Sequence, residues 1–149
     1  MQFLKSILLL AATTITLTLA QTSGVAKYDN TYDNANLSTL ELACSDGPNG
    51  LYTKGYHTLG SIPRFPNVGG SGTIGGWNSP NCGACYQLTY TPPPPGTPQT
   101  INIVAVDVAA PGTFVLSQAA LDTLTGGQAV MLGSVNVSWS PAAPSACGF

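Results

Sequence analysis

The stretch GGWNSPNCGACYQLTY, residues 75–90, contains Cys82 and Cys85 directly before a segment of alternating apolar and polar residues. The spacing of these two cysteines can hold a metal ion, form a redox-active pair, or send two disulfides to different parts of the chain. The alternation over residues 86–90 is typical of a half-buried strand. The pairing of the two cysteines therefore decides the class of protein.

Residues 1–20, MQFLKSILLLAATTITLTLA, have one charge, Lys5, before an apolar run that ends in small residues. This pattern predicts a secretory signal peptide with cleavage between Ala20 and Gln21. A membrane anchor is the alternative, but the run is short and rich in threonine. Residues 21–149 then form one domain that is large enough for its own core. We expect a secreted, extracellular protein.

The composition after residue 20 is polar but nearly uncharged. Three basic and six acidic residues give this part a net charge of −3 with His57 neutral, and charged residues make up only 7% of the full sequence. Nucleic acids and anionic membranes bind clustered Lys or Arg, so neither is expected as a partner. Such a surface suits neutral polar ligands, carbohydrate above all.

The four cysteines, Cys44, Cys82, Cys85 and Cys147, all follow the predicted signal peptide. An even number in an oxidising compartment indicates two disulfides. A zinc site would need a second ligand pair, and the chain has one histidine, so no metal is expected. A redox pair normally lies in an alternating strand–helix context, which is missing. Of the pairings that remain, we favour the sequential one, Cys44–Cys82 and Cys85–Cys147.

Short strands separated by Gly- and Pro-rich turns dominate the rest of the pattern. One helix is expected within residues 114–126, with Ser117 as its N-cap and Gly126 at its end. The tract Pro92–Pro95 predicts a stiff hairpin tip. Strands are expected at residues 25–29, 84–91, 100–109 and 128–140, with short extended pieces around Ile62 and Ile74. This order favours a small β-barrel over a fold that alternates strands and helices.

Several motifs together resemble the cerato-platanin family, a group of small secreted fungal proteins. They are YDNTYD (28–33), CSDGPNGL (44–51), IPRFPNVGG (62–70), GWNSPNCGACYQLTY (76–90), INIVAVD (101–107), LTGGQAVMLGSV (124–135) and CGF (147–149). The resemblance implies a mostly β, single-domain, six-stranded double-psi β-barrel with one or two short helices. It also implies the sequential disulfide pairing.

The resemblance further implies a non-catalytic protein that associates with the fungal cell wall and binds chitin oligomers or other neutral wall glycans. The sequence gives no evidence for a cofactor. Expansin-like loosening of cell walls and elicitation of plant defence, with a plant receptor as a further partner, belong to the same expectation. One departure concerns Val108, which follows Asp107 where the family commonly has His. The change removes an imidazole beside that carboxylate.

Candidate binding residues lie in turns and at the end of the apolar run INIVAVD. Asp107 either lies at a groove floor or caps a turn, and the resemblance favours the groove. Trp77 can stack on a sugar ring, but a tryptophan in a small domain is more often part of the core. The lone His57 is expected at the surface. The full set of candidates is Tyr28, Asp46, Gly47, Asn49, Asn78, Asn81 and Asp107.

Two alternatives remain open. A weak glycoside hydrolase or lytic enzyme would use Asp107 with a second carboxylate, for which Asp46 and Asp29 are candidates. A surface-active wall coat would self-associate at interfaces. Two sequons, at Asn36 and Asn136, are acceptors for N-linked glycans in a secreted protein.

Overall fold

The computed structural model describes residues 20–149. The signal-peptide prediction concerns residues 1–20 and therefore lies almost wholly outside the described residues. Within residues 20–149, no helix is long and apolar enough to cross a membrane.

Six strands close into a barrel in the order β1-β5-β2-β4-β3-β6. The pairs β1–β5 and β2–β4 are parallel, and the other neighbours are antiparallel. The strands are β1 (Thr22–Tyr28), β2 (Val68–Ser71), β3 (Cys85–Tyr90), β4 (Gln99–Val108), β5 (Thr113–Leu116) and β6 (Ser134–Ala142). The expectation of a mostly β, six-stranded barrel is confirmed, and closure leaves no unpaired sheet edge.

Two helices lie between β5 and β6, α1 (Gln118–Thr125) and α2 (Ala129–Leu132). The predicted start of α1 is confirmed, because the Ser117 hydroxyl accepts a hydrogen bond from the Ala120 N–H at 3.0 Å. Gly126 ends the helix in the left-handed conformation, which glycine adopts without a Cβ penalty. Short 3₁₀ helices cover Asn30–Asp33, Thr39–Glu41, Leu59–Ser61 and Pro144–Cys147.

Three local predictions are wrong. The extended piece between the first two disulfide cysteines is β2 at Val68–Ser71, not the segments around Ile62 and Ile74. The segment β5 precedes α1 and was not expected as a strand. The strand expected over residues 128–140 begins only at Ser134, because residues 129–132 form α2.

The packing of β2 against β5 explains why a strand here has the glycine-rich sequence VGGS. All four residues are buried. A Cβ on Gly69 would lie 2.2 Å from the Val115 carbonyl oxygen of β5. Only glycine allows the two backbones to approach so closely, and that need overrides the low β propensity of glycine.

The sequential disulfide pairing is confirmed. Cys82 bonds to Cys44 and Cys85 bonds to Cys147, with Cα–Cα distances of 5.3 and 5.8 Å. The two cysteines of the C-x-x-C motif therefore leave one turn toward different parts of the chain. The proline tract also lies where it was expected, in the hairpin between β3 and β4, where the Gly96 N–H donates to the Pro93 carbonyl at 2.9 Å.

An aromatic cluster fills part of the barrel. Phe114 is 1% exposed, and its ring packs edge-on against Tyr86 and Trp139, with centroid distances of 5.7 and 5.3 Å. Tyr86 and Trp139 also contact each other at 5.5 Å. Edge-to-face packing of this kind adds to the free energy gained by burying the rings.

We predict that Phe114→Ala lowers the free energy of unfolding by about 3–5 kcal/mol. The substitution leaves a cavity beside the rings of Tyr86 and Trp139, which are too rigid to fill it. Urea unfolding followed by circular dichroism measures the loss. The control is Leu40→Ala, since Leu40 is 48% exposed and its truncation should cost no more than about 0.5 kcal/mol. Equal losses in the two variants would contradict a core role for Phe114.

Candidate functional site

The disulfide Cys44–Cys82 joins two loops that carry most of the candidate residues. We call residues 44–51 and 76–82 together the paired loops. The first loop is attached to the barrel wall at its first residue, since the Cys44 N–H donates to the Val106 carbonyl of β4 at 3.3 Å. The paired loops are therefore fixed to each other and to the barrel.

Asn49 and Asn78 bind each other across the paired loops. The Asn49 backbone N–H donates to Asn78 Oδ1 at 2.8 Å, and Asn49 Nδ2 donates to the Asn78 carbonyl at 3.0 Å. Asn78 has a φ of +58°, a conformation that Asn tolerates better than most residues. The pair leaves Asn49 Oδ1 and Asn78 Nδ2 as one acceptor and one donor that no group within residues 20–149 occupies.

Gly47 allows the two loops to approach each other closely. A Cβ at this position would lie 2.7 Å from both the Cβ and Oδ1 of Asn78. A larger residue would thus push the second loop away. The candidate role of Gly47 is steric, since its small size lets Asn78 reach Asn49.

Trp77 is 63% exposed, so the expectation that it belongs to the core is wrong. Its indole Nε1 donates to Asp46 Oδ1 at 3.0 Å. The hydrogen bond joins the two loops a second time and restricts the orientation of the ring. The apolar ring of Trp77 is thereby fixed in a solvent-exposed position at the edge of the paired loops.

Asp46 is the acceptor that fixes Trp77. The hydrogen bond from the indole is the main reason why the pKa of Asp46 lies below its ordinary value. The backbone of the same residue is also used, because Thr53 Oγ1 donates to the Asp46 carbonyl at 2.8 Å. Asp46 is exposed, so its carboxylate stays accessible beside the ring.

Asp107 lies at the end of β4, half-buried, next to the start of the paired loops. Its Oδ1 accepts from the N–H groups of Ala43 and Val108, both at 2.8 Å, and its Oδ2 accepts from the Tyr32 hydroxyl at 3.0 Å. Burial, and then the negative charge of Asp107, raise the pKa of Tyr32. Asp107 thus holds the segment before Cys44 against the barrel, which fits a structural role better than the role of an open groove floor.

The remaining candidates lie apart from this cluster or face inward. Asn81 belongs to the second of the paired loops, but its Nδ2 donates to the Thr73 carbonyl at 2.7 Å. Tyr28 ends β1 and packs, half-buried, against the core. His57 is exposed, as expected, and stacks on Tyr52 with a centroid distance of 4.3 Å. The structure therefore brings together Asp46, Gly47, Asn49 and Asn78, with Asp107 adjacent through Ala43.

The sequence analysis gave Trp77 the wrong environment and did not identify Tyr32 as a partner of Asp107. Tyr32 lies in the motif YDNTYD, but its partner Asp107 is 75 residues away. A metal site has no support in the described part of the chain, where no three His, Cys, Asp or Glu residues cluster suitably for an ion.

Comparison with known proteins agrees with this architecture. The family model named Cerato-platanin matches residues 24–149. This chain belongs to the cerato-platanin family. Members of this family are secreted fungal proteins.

Similar proteins include an allergen homologue from Arthroderma benhamiae, 47% identical over 122 residues that cover 82% of this chain. Those residues cover 57% of the relative, so the chain spans little more than half its length. The crystal structure of cerato-platanin 1 from M. perniciosa is 48% identical, with a TM-score of 0.79 over 86% of this chain and 99% of that chain. The solution structure of the fungal elicitor cerato-platanin is 40% identical, with a TM-score of 0.70 over 83% of this chain and 95% of that chain.

The Trp77–Asp46 hydrogen bond predicts a pH-dependent signal in this family member. In the folded protein the pKa of Asp46 is lowered, so the bond stabilises the fold above the ordinary aspartate pKa of about 3.9. That stabilisation is lost as the pH falls through the lowered folded pKa. We expect the indole N–H resonance of Trp77 to shift with a midpoint below the ordinary aspartate range.

The control is the indole N–H of Trp139, which is buried and bonds to no acceptor within residues 20–149. Its resonance should stay in place over the same titration. In Trp77→Phe the carboxylate loses its donor, so the pKa of Asp46 should rise toward the ordinary value. The side-chain carboxyl carbon resonance of Asp46 reports its pKa in both proteins, and a midpoint that Trp77→Phe leaves unchanged would show that the indole does not set the pKa.

Proposed function

We propose that this protein is a secreted, non-catalytic binder of neutral cell-wall glycans, with chitin oligomers as the ligand class. Binding loosens polysaccharide assemblies in an expansin-like way, without cleavage. The observation that carries the proposal is the exposed indole of Trp77, which the Asp46 carboxylate holds at the rim of the paired loops.

A fixed, exposed aromatic ring suits the apolar C–H face of a pyranose. Because Asp46 already restricts the indole, less side-chain entropy is lost when a sugar stacks on it. Next to the ring, Asn78 Nδ2 and Asn49 Oδ1 offer a donor and an acceptor to sugar hydroxyls. The Asn49–Asn78 contacts also hold both groups in place before the ligand arrives.

The binding should be weak for each sugar and additive along a chain. A hydrogen bond to a sugar replaces one to water, so each nets only about 1 kcal/mol. The same exchange explains loosening, because a polysaccharide that bonds to the protein gives up bonds to its neighbours. Longer oligomers should therefore bind more tightly than short ones.

Hydrolysis is the weaker candidate. A glycoside hydrolase needs a general acid whose pKa is raised. Hydrogen bonding lowers the pKa of both proposed partners of Asp107, through the indole at Asp46 and through the Thr31 backbone at Asp29. Asp107 itself accepts three hydrogen bonds from the protein, and Val108 supplies no imidazole beside it.

Elicitor activity enters through similarity, since one of the similar solved structures is described as a fungal elicitor. In this proposal a plant receptor is a partner separate from the wall glycan. Elicitor activity is tested by measuring defence responses in leaf tissue treated with the purified protein.

We predict that Trp77→Ala weakens binding of chitohexaose roughly five- to tenfold, the equivalent of losing about 1–1.4 kcal/mol of aromatic contact. NMR titration of the secreted protein measures the dissociation constant from amide shifts. Trp77→Tyr should keep most of the affinity because it keeps an aromatic face. Met131→Ala removes an exposed apolar side chain elsewhere and should bind like the parent protein.

The same titration distinguishes binding from cleavage. With no catalysis, the anomeric signals of the hexamer persist over days, and shifts concentrate in the paired loops. New anomeric signals that disappear in Asp107→Asn would make the protein a hydrolase. Saturation without any change in affinity on Trp77→Ala would remove the indole from the binding surface.

A further inference from the structure

A second surface, on the outside of the barrel, is built around Asn136. Two neighbouring cavities, of about 460 and 480 Å³, have this residue in common. One lies over β1, β3 and β6. The other extends to the proline hairpin and the end of α2. We call the two cavities together the Asn136 groove.

The alternation of β6 points the Asn136 side chain into the groove. Val135 and Val137 are buried, whereas Asn136 is exposed and Ser138 is half-buried on the outer face. The Asn136 amide makes no side-chain hydrogen bond to any other group within residues 20–149. A substituent on its Nδ2 would therefore break no hydrogen bond of the described fold.

The lining of the groove is uncharged. Around the first cavity the side chains are small, with Ser23, Gly24, Thr89 and Thr91 leaving room beside Asn136. The second cavity is apolar on its far sides, which are formed by Tyr90, Pro92–Pro94 and Leu132. Rings of proline and tyrosine offer flat apolar faces of the kind on which the C–H faces of a sugar pack.

The apolar side of the groove continues onto α2. Val130 and Met131, next to Leu132, are 65% and 74% exposed. Exposed apolar side chains that cluster in this way usually have a partner that covers them. Leu132 is the residue of α2 that lines the groove, so a bulky polar substituent at Asn136 would lie beside this end of the helix.

The sequence at Asn136 supplies the attachment signal. Asn136-Val137-Ser138 is an acceptor for N-linked glycans, and a secreted fungal protein passes the enzyme that reads such signals. We propose that Asn136 carries an N-linked glycan whose first sugars lie in the Asn136 groove and cover Leu132 and the proline hairpin.

The attachment requires a lipid-diphosphate-linked oligosaccharide as donor. The Asn136 Nδ2 forms a bond to C1 of the first sugar while the bond from C1 to the diphosphate oxygen breaks. The lipid diphosphate leaves with the electron pair, and Nδ2 loses one proton to a base of the transferase. No oxidation or reduction takes place.

Asn36 provides an internal comparison. It also stands in a sequon and is exposed, but it lies in a turn in which its own N–H donates to Asn34 Oδ1 at 3.0 Å. The hydroxyl of its sequon, on Ser38, accepts from the Leu40 N–H at 3.2 Å. Neither part of the Asn136 groove includes a residue of this turn.

The test uses the full chain secreted from yeast. Intact mass is measured before and after treatment with an endoglycosidase that leaves one N-acetylglucosamine on the protein. We expect Asn136→Gln and Ser138→Ala each to lose the glycan mass assigned to Asn136, and Asn36→Gln to retain it. An unmodified Asn136 peptide in the parent protein would overturn the proposal.

The position of the glycan is tested on the trimmed protein by NMR. Nuclear Overhauser contacts between the acetyl methyl of the retained sugar and protons of Leu132 or Pro92–Pro94 would place it in the groove. Occupancy without those contacts, together with Leu132 methyl shifts equal to those of Asn136→Gln, would overturn the placement. These readouts do not involve chitohexaose or Trp77, so they succeed or fail independently of the proposed binding function.

Discussion

The turn from Cys82 to Cys85 connects the paired loops to the barrel, and much of the architecture depends on it. Cys82 ties this turn to the first of the paired loops, while Cys85 begins β3 and ties it to the C-terminal segment. Between them, the Gly83 N–H donates to the Ala105 carbonyl at 2.8 Å, and the Ala105 N–H donates to the Ala84 carbonyl at 2.9 Å. The turn is thus fixed to the middle of β4. Any displacement of the paired loops would have to stretch this attachment.

This rigidity gives an exposed tryptophan a defined orientation. An indole in water gains nothing from the hydrophobic effect, so the fold must hold it by other means. The Asp46 carboxylate does so from the neighbouring loop, and the Asn49–Asn78 pair keeps the two loops at the required distance. Gly47 is the steric condition for that distance. A surface prepared in this way loses little freedom on binding, which suits the weak individual sugar contacts of the proposed function.

The elements that the sequence alone predicted are those whose signals are local. The strands β3 and β4 carry alternating or β-branched segments, and α1 carries its own N-cap and terminating glycine. The strand β2 was not predicted because Gly69 is required by the close approach of β5, and glycine has a low strand propensity. The environments of Trp77 and Tyr32 were not predicted for a related reason. Their environments depend on Asp46 and Asp107, which are 31 and 75 residues away, and no spacing rule links them.

Asp107 illustrates how one carboxylate can be committed to the fold. Two backbone N–H groups share its Oδ1, and the Tyr32 hydroxyl occupies Oδ2. Two of these contacts, from the Ala43 N–H and the Tyr32 hydroxyl, hold the segment before Cys44 and the first 3₁₀ helix against the end of β4. Because that segment leads into the disulfide Cys44–Cys82, the position of the paired loops depends on the same carboxylate. The geometry therefore assigns Asp107 to ordering the paired loops from behind.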